Sequence, residues 1–283
     1  MKCKQINGID IANIINKRSI QYIKTLNGDD IPKLVIIQVG DNSASNIYIR
    51  MKKKLCEKIG IQFDHIRFDD NATNSELIKK IDSLNYDKSV TGIIVQSPLP
   101  KNLDWDFIVN TISPSKDADG FTYVSQGRAV LGQSLIAPAT AKGIVSLIDN
   151  INFDISGKNI VIIGRSNIVG KPVANLLINR QATVTVCNSK TKQLSHITKM
   201  ADLIIVAIGK PKFINKKFIS KGQVVIDVGA NFINGAYCGD VDYDDVIDLV
   251  DKISPVPGGV GPMTVASLID NVTILHKESK KIR

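Results

Sequence analysis

Apolar and polar residues alternate in blocks along this chain, and the blocks have the lengths of strands and helices in turn. LVIIQVG (34–40) is a continuous apolar run ending in glycine, the mark of a strand buried on both faces of a parallel sheet. DNSAS then supplies N-cap side chains, and IYIRMKKKLCEKIG reads as a helix that stops at Gly60. A strand near 61–68, a helix near 74–85 and the strand TGIIVQ (91–96) continue the pattern. QSPLPKNLDW breaks it with prolines, and SPSKDADGFTYVSQGRAVLG reads as a connection that carries function.

Past residue 138 the periodicity sharpens. APATAKGIVSLIDN reads as a helix, and KNIVIIGRSNIVGKPVANLLINR as strand, glycine-bounded turn and helix. ATVTVCN, ADLIIVAIGK and QVVIDVGAN read as three further strands, and PMTVASLIDNVTILHKESKKIR as a closing helix with a basic tail. Unbroken apolar strands that alternate with helices pair in parallel, so the pattern predicts an α/β protein with a doubly wound sheet. No internal repeat or low-complexity tract interrupts it.

A length of 283 residues suits two domains. Apolar residues make up 43% and charged residues 22%, the balance of an ordinary globular chain. No apolar run reaches the roughly 20 residues that span a bilayer, and MKCKQINGIDIANIINKR lacks a signal-peptide core. A cytoplasmic protein without membrane association is therefore expected. The net charge of +9 suits nucleic acid, but the cations are scattered and aromatic residues amount to only 5%; single-strand binders interleave the two. Small anions suit the charge equally, and no nucleic-acid partner is expected. The cysteines (Cys3, Cys56, Cys187, Cys238) and histidines (His65, His196, His276) are dispersed, without C-x-x-C or zinc spacing, so reduced thiols and no metal site are expected.

Two stretches hold candidate chemistry. SASNIYIRMKKKL (43–55) sets Arg50, Lys52, Lys53 and Lys54 just after Tyr48. On a helix Tyr48 and Lys52, four apart, share one face; a solvated basic face is the plain alternative. GRSNIVGKP (164–172) lies between strand and helix, where a phosphate-binding turn belongs. Five residues separate Gly164 from Gly170, and Pro172 follows Lys171, which argues against a Walker A loop. Ser166 stands where G-x-G-x-x-G has its second glycine, so a dinucleotide turn and a merely structural turn both stay open. The next strand ends VCNSKTK, without the acid that binds a ribose 2′-hydroxyl in NAD sites. Arg165, Ser189, Lys190 and Lys192 suit a 2′-phosphate instead. That favours NADP, with a solvated basic loop as the alternative.

YIRMK (48–52), VQSPLP (95–100), KDADGF (116–121), GRSNIVGKP and SPVPGGVGPMT (254–264) follow one another in this order. Together they resemble the bifunctional methylenetetrahydrofolate dehydrogenase/cyclohydrolase family, FolD, over essentially the whole chain, including GDVDY (239–243). The resemblance implies an N-terminal α/β catalytic domain (1–137 with 264–283) and a C-terminal Rossmann-type NADP-binding domain (138–263), with the active site in the cleft between them. It also implies a homodimer, tetrahydrofolate derivatives as substrates and NADP as cofactor. The implied reactions are oxidation of 5,10-methylenetetrahydrofolate and hydrolysis of the methenyl product to 10-formyltetrahydrofolate.

By the same resemblance Lys52 is the lysine of the hydrolytic step, Gln96 the glutamine that hydrogen-bonds it, and Asp119 the aspartate that grips the pterin. Asp117 is the competitor for that last role. Tyr48 offers its ring to the folate or, alternatively, packs in the core. Pro98, Leu99, Pro257, Gly258 and Gly259 are the remaining expected substrate contacts. Thr140, Gly164, Arg165, Ser166, Ile168, Val169, Gly170, Pro172, Ser189 and Gly209 are the expected dinucleotide contacts. A buried lysine near another cationic centre is easily neutralised, as proton transfer requires. An amide partner orients that amine without fixing it as a cation, and a carboxylate accepts two parallel donors of a pterin edge. The chain departs from the family pattern at Ser97, Ser125, Ala139, Ala141 and Asn188, none of them among Tyr48, Lys52, Gln96 and Asp119. Three rival readings stand beside this one: a member with one activity lost, another NADP-dependent oxidoreductase, and a binding protein that uses the positive charge.

Overall fold

The most buried strand of each half organises a sheet around itself. In the computed structural model, which describes residues 4–28, 30–233 and 235–281, every residue of Lys33–Val39 except the first is buried. Alternate side chains of a strand serve opposite faces. Leu34 and Ile36 pack with Ile49, Cys56 and Ile59 of helix Ser43–Ile59, and with Leu268, Ile269 and Val272 of the C-terminal helix Val260–Lys281. Val35, Ile37 and Val39 pack with Leu77, Ile81 and Leu84 of helix Asn74–Tyr86. Strands Gln62–Phe68 and Gly92–Val95 pair with the central one in parallel, completing a three-stranded sheet.

Local signals place the helices as the sequence predicts. Asn42 caps Ser43–Ile59 by accepting from the Ser45 amide at 3.0 Å, and Gly60 ends it in the left-handed region at φ 91°. Thr73 and Glu76 form a capping box ahead of Asn74–Tyr86.

The second sheet is wholly parallel, with six strands in the order Lys4–Gln5, Lys252–Ile253, Val224–Asp227, Leu203–Val206, Asn159–Ile163, Thr183–Cys187. The chain leaves Asn159–Ile163 for the edge strand Thr183–Cys187, then returns to pair on the other side with Leu203–Val206. The strand order therefore reverses at Asn159–Ile163. Ligands of such sheets bind beyond the carboxyl ends at that point, and the turn 164–170 starts there.

The chain divides into two compact units. The three-stranded sheet belongs to Ile14–Ala129, Gln133–Ala139 and Val265–Arg283; the six-stranded sheet belongs to Met1–Asn13, Val130–Gly132 and Thr140–Thr264. The sequence reading groups 1–137 together, whereas pairing of Lys4 with Lys252 and Gln5 with Ile253 counts the first segment with the six-stranded sheet. A strand of two residues has no periodicity to read.

Other elements lack a sequence expectation for similar reasons. Helix Gly8–Ile23 has no strong start signal beyond Asn7, whose side chain accepts from the Ile9 and Asp10 amides. Helix Tyr123–Val130 lies inside the stretch read as a connection, started by the Thr122 hydroxyl accepting from the Ser125 amide. The strand read in QVVIDVGAN stops at Asp227, and Asn231–Ile233 pairs instead with Ala236–Cys238 in an antiparallel hairpin. Cys3 and the last two residues of the basic tail lie outside the described residues.

Candidate active site

Helix Ser43–Ile59 and the end of strand Gly92–Val95 bring two predicted residues together. Lys52 is 7% exposed, while Arg50, Lys53 and Lys54 on either side of it are exposed. Its Nζ donates to Gln96 Oε1 at 3.0 Å. Gln96 Nε2 donates in turn to the Ser97 carbonyl at 2.9 Å, which keeps the amide oxygen aimed at the lysine. The same Ser97 carbonyl accepts from the Ser45 hydroxyl at 3.2 Å, tying the start of the helix to the strand end. Tyr48, one turn before Lys52, is half-buried.

Burial pushes the Lys52 ammonium below the ordinary lysine range, against the attraction of Asp119. Burial pushes Asp119 above the carboxylate range, opposed by Lys52 and reinforced by Asp117. The Cys56 thiol, one turn after Lys52, is pushed up to about 12 and stays neutral. A lysine in this setting reaches its neutral form more readily than one in water.

The competition between Asp117 and Asp119 is visible in their partners. Asp117 is 1% exposed, and its carboxylate accepts from the amides of Gly120, Phe121 and Thr122 at 2.8–3.1 Å. It is fully engaged in shaping the DGF turn. Asp119 is half-buried, and its carboxylate has no hydrogen-bond partner among the described residues. Its acceptor capacity is therefore not used by the described residues.

The backbone beside Asp119 is held from far along the chain. Asn271, fully buried on the C-terminal helix, donates to the carbonyls of Ala118 and Ala137 at 2.9 Å each. Sequence reasoning treats that helix as packing alone; the one available signal is an asparagine within its apolar stripe. Of the other expected contacts in this unit, Pro98 is exposed and Leu99 packs partly against the core. Ser125, a departure from the family pattern, is buried and accepts from the Thr122 hydroxyl.

In the six-stranded unit the two glycines of the turn are sterically required. A Cβ on Gly164 (φ 125°) would lie 2.2 Å from the Ala207 carbonyl oxygen, and one on Gly170 would lie 2.1 Å from that of Gly164. Ser166 braces the turn by accepting from the Val169 and Gly170 amides at 3.1 and 3.4 Å. Helix Gly170–Ile178 begins without a side-chain cap, with Pro172 buried in its first turn. Its first amides are engaged within the turn itself, Gly170 donating to the Ser166 hydroxyl and Lys171 to the Ser166 carbonyl. Arg165 and Ile168 are exposed on the turn, with Val169 half-buried.

Gly164 donates to the Cys187 carbonyl, so the turn borders the loop that carries Ser189, Lys190 and Lys192, all exposed. No acidic residue lies between Cys187 and Lys192. Gly209 is exposed at φ 62°, beyond strand Leu203–Val206. Thr140 accepts from the Thr264 hydroxyl at 3.3 Å. Pro257, Gly258 and Gly259 also belong to this unit, and the Gly258 carbonyl accepts from the Gly8 amide.

A buried lysine paired to an amide, an unengaged carboxylate and a braced dinucleotide-type turn match one set of known proteins. Residues 6–119 match the tetrahydrofolate dehydrogenase/cyclohydrolase catalytic domain, and residues 138–280 the NAD(P)-binding domain of the same proteins. The chain belongs to the tetrahydrofolate dehydrogenase/cyclohydrolase family. It is 48% identical to the bifunctional protein FolD 2 of Lactobacillus johnsonii, over 97% of this chain and 98% of that one. Its structure superposes on the FolD of Campylobacter jejuni with a TM-score of 0.95 at 41% identity, covering 98% and 99% of the two chains. The FolD of Trypanosoma brucei, solved with NADP and an inhibitor, superposes with a TM-score of 0.95 at 32% identity over 99% of both. As a FolD-family enzyme this chain has methylenetetrahydrofolate dehydrogenase and methenyltetrahydrofolate cyclohydrolase activity, served by an NAD(P)-binding domain. Among the described residues, no helix is long and apolar enough to cross a membrane.

Proposed function

We propose that Lys52, Gln96, Asp119 and Tyr48 carry the folate chemistry of this enzyme, and that its dinucleotide is NADP. The observation that supports the first part is the contrast in one pocket of charge: Lys52 buried on an amide partner, Asp119 left without donors.

Asp119 accepts the two parallel donors of the pterin edge, which binds the ring and sets its orientation. Tyr48, on the Lys52 face of its helix, lies along the folate. In hydrolysis, neutral Lys52 takes a proton from water as the oxygen bonds to the cationic methenyl carbon. The ammonium so formed gives its proton to N5 as the carbon–N5 bond breaks, and the hydroxyl proton of the adduct passes to solvent as the carbonyl forms, leaving the formyl group on N10. Gln96 holds the amine in line through its carbonyl oxygen without adding a negative charge that would keep it protonated. Hydride transfer asks less of these groups, because the folate nitrogen lone pair stabilises the developing cation and positioning supplies most of the rate.

The turn fits a dinucleotide: glycines where backbone must approach closely, a strand-to-helix turn at the carboxyl end of the sheet where the strand order reverses, and a cationic loop beside it. NADP⁺, when bound, supplies the hydride acceptor. Arg165, Ser166 and Ser189, with Lys190 and Lys192, would hold the 2′-phosphate; Gly164, Ile168, Val169 and Gly170 of the turn would lie against the dinucleotide, with Pro172 shaping the helix start. Thr140 and Gly209 are the further dinucleotide contacts, and Pro98, Leu99, Pro257, Gly258 and Gly259 the further substrate contacts. The enzyme acts as a homodimer in the cytoplasm, which sedimentation and cell fractionation would test.

The experiment is a full-spectrum time course with 5,10-methylenetetrahydrofolate and NADP⁺, run in parallel with NAD⁺. Reduced nicotinamide without lasting methenyl absorbance, beyond its spontaneous decay, is the expected result with NADP⁺. Persistent methenyl would remove Lys52 from its role, and equal rates with NAD⁺ would remove the 2′-phosphate site.

A further inference from the structure

Two buried carboxylates that the chemistry above does not use lie at the carboxyl ends of the six-stranded sheet. Asp227 closes strand Val224–Asp227 and is 3% exposed; Asp240 follows the hairpin and is fully buried. Asp227 Oδ1 accepts from the amides of Gly229 and Asp240 at 2.9 and 3.0 Å, and its Oδ2 from that of Val241 at 2.9 Å. Burial pushes the Asp227 carboxyl up to about 6, still ionised at neutral pH. Gly239 leaves room for it, since a Cβ there would lie 1.8 Å from Asp227 Oδ2.

Asp240, held in this way, faces the other direction. Its Oδ2 accepts from the amides of Ile208 and Gly209 at 2.7 and 2.9 Å, and its Oδ1 from Asn231 Nδ2 at 2.9 Å. Ile208 follows Ala207, whose carbonyl is the surface against which Gly164 packs without a Cβ. The Ala207 amide donates to the Ile163 carbonyl, the residue before the turn. The chain of contacts thus runs from Asp227 through Asp240 and the Ile208–Gly209 backbone to the glycine turn.

We propose that Asp240 is a positioning residue for dinucleotide binding: it fixes the Ile208–Gly209 loop and, through Ala207, the seat of the Gly164 turn. The proposal rests on the reading of that turn as the dinucleotide site. Asp240 touches neither folate nor the reacting atoms. Two amides aimed at one carboxylate oxygen, from a loop with left-handed backbone at Gly209, define that loop more tightly than the sheet alone does. Without the carboxylate those amides must turn to water, and the loop with them.

The test is titration of NADPH, followed by its fluorescence, into wild type, Asp240→Ala and Asp240→Asn, with steady-state rates and methenyl hydrolysis measured alongside. Asp240→Ala removes both acceptors and is expected to raise the NADPH dissociation constant by about tenfold or more, the loss of one charge-assisted hydrogen bond or two. Asp240→Asn can keep one oxygen on Ile208–Gly209 while Asn231 reverses its amide, so about a threefold rise is expected. Rates at saturating dinucleotide should stay within about twofold, and methenyl hydrolysis, which uses no dinucleotide, should not change. A merely structural role would lower hydrolysis and turnover together. If Asp240→Ala does not fold, Asp240→Asn decides. Wild-type affinity in the folded variants would overturn the proposal, and a wild type that binds no NADPH would overturn the reading of the turn instead.

Discussion

Replacing Gln96 by glutamate keeps the side chain's shape, gives up the Nε2 hydrogen bond to the Ser97 carbonyl and sets a negative charge beside Lys52, so its main effect is on the charge state of the lysine. In Gln96→Glu a carboxylate oxygen would stand about where Oε1 stands, 3.0 Å from Nζ. At an effective dielectric of about 20, a unit charge at that distance favours the ammonium by about 5 kcal/mol. Gln96 is half-buried and Asp119 already shares the field, so solvent and repulsion between the two carboxylates reduce the net effect to about 2–3 kcal/mol. That lowers the population of neutral amine by about 30- to 150-fold. Methenyl hydrolysis should fall by a similar factor at neutral pH, after subtraction of the spontaneous reaction. Its residual rate should climb towards higher pH than in wild type, because the charged form of Lys52 now persists further up the scale. Hydride transfer, which does not need a neutral lysine, should fall by less than about tenfold. The assay is stopped-flow loss of methenyl absorbance across a pH series, with dehydrogenase rates in parallel. Hydrolysis within about threefold of wild type, or an unmoved pH profile, would refute the role given to Gln96.

Lys52→Met should remove enzymatic methenyl hydrolysis and leave measurable NADP⁺ reduction, read from the same spectra; loss of both would mean the lysine also organises substrate binding. Asp119→Asn should raise the KM for methylenetetrahydrofolate by about 10- to 100-fold, the worth of hydrogen bonds to a charged acceptor, with little change in thermal midpoint. Asp117→Asn should do the reverse, because its carboxylate serves three backbone amides: a loss of about 1–3 kcal/mol of stability in denaturant titration. Arg165→Ala should weaken NADP⁺ about tenfold or more and NAD⁺ hardly at all, and equal losses in the two titrations would remove Arg165 from the phosphate site.

The apolar blocks determined the parallel strands Lys33–Val39, Gly92–Val95, Asn159–Ile163 and Leu203–Val206, because a strand covered on both faces is apolar at nearly every position. Caps such as Asn42 and Gly60 are local in the chain, and that made them legible too; the Thr73–Glu76 box is equally local but was not read. Motifs carried the candidate residues as far as Tyr48, Lys52, Gln96, Asp119 and the 164–170 turn, but not their states. Four cations in 50–54 look alike in one dimension; burial of the helix face against the sheet singled out Lys52. Asp117 and Asp119 are equivalent in KDADGF until the turn closes and three amides converge on the first of them. Asn271 reaches Ala118 across 153 positions, and Asp240 reaches Ile208 across 32. Such contacts obey no period, since a buried polar group needs only a donor or acceptor brought near by the fold. Periodic burial is written along the chain, whereas the pairing of isolated polar groups exists only once distant segments meet.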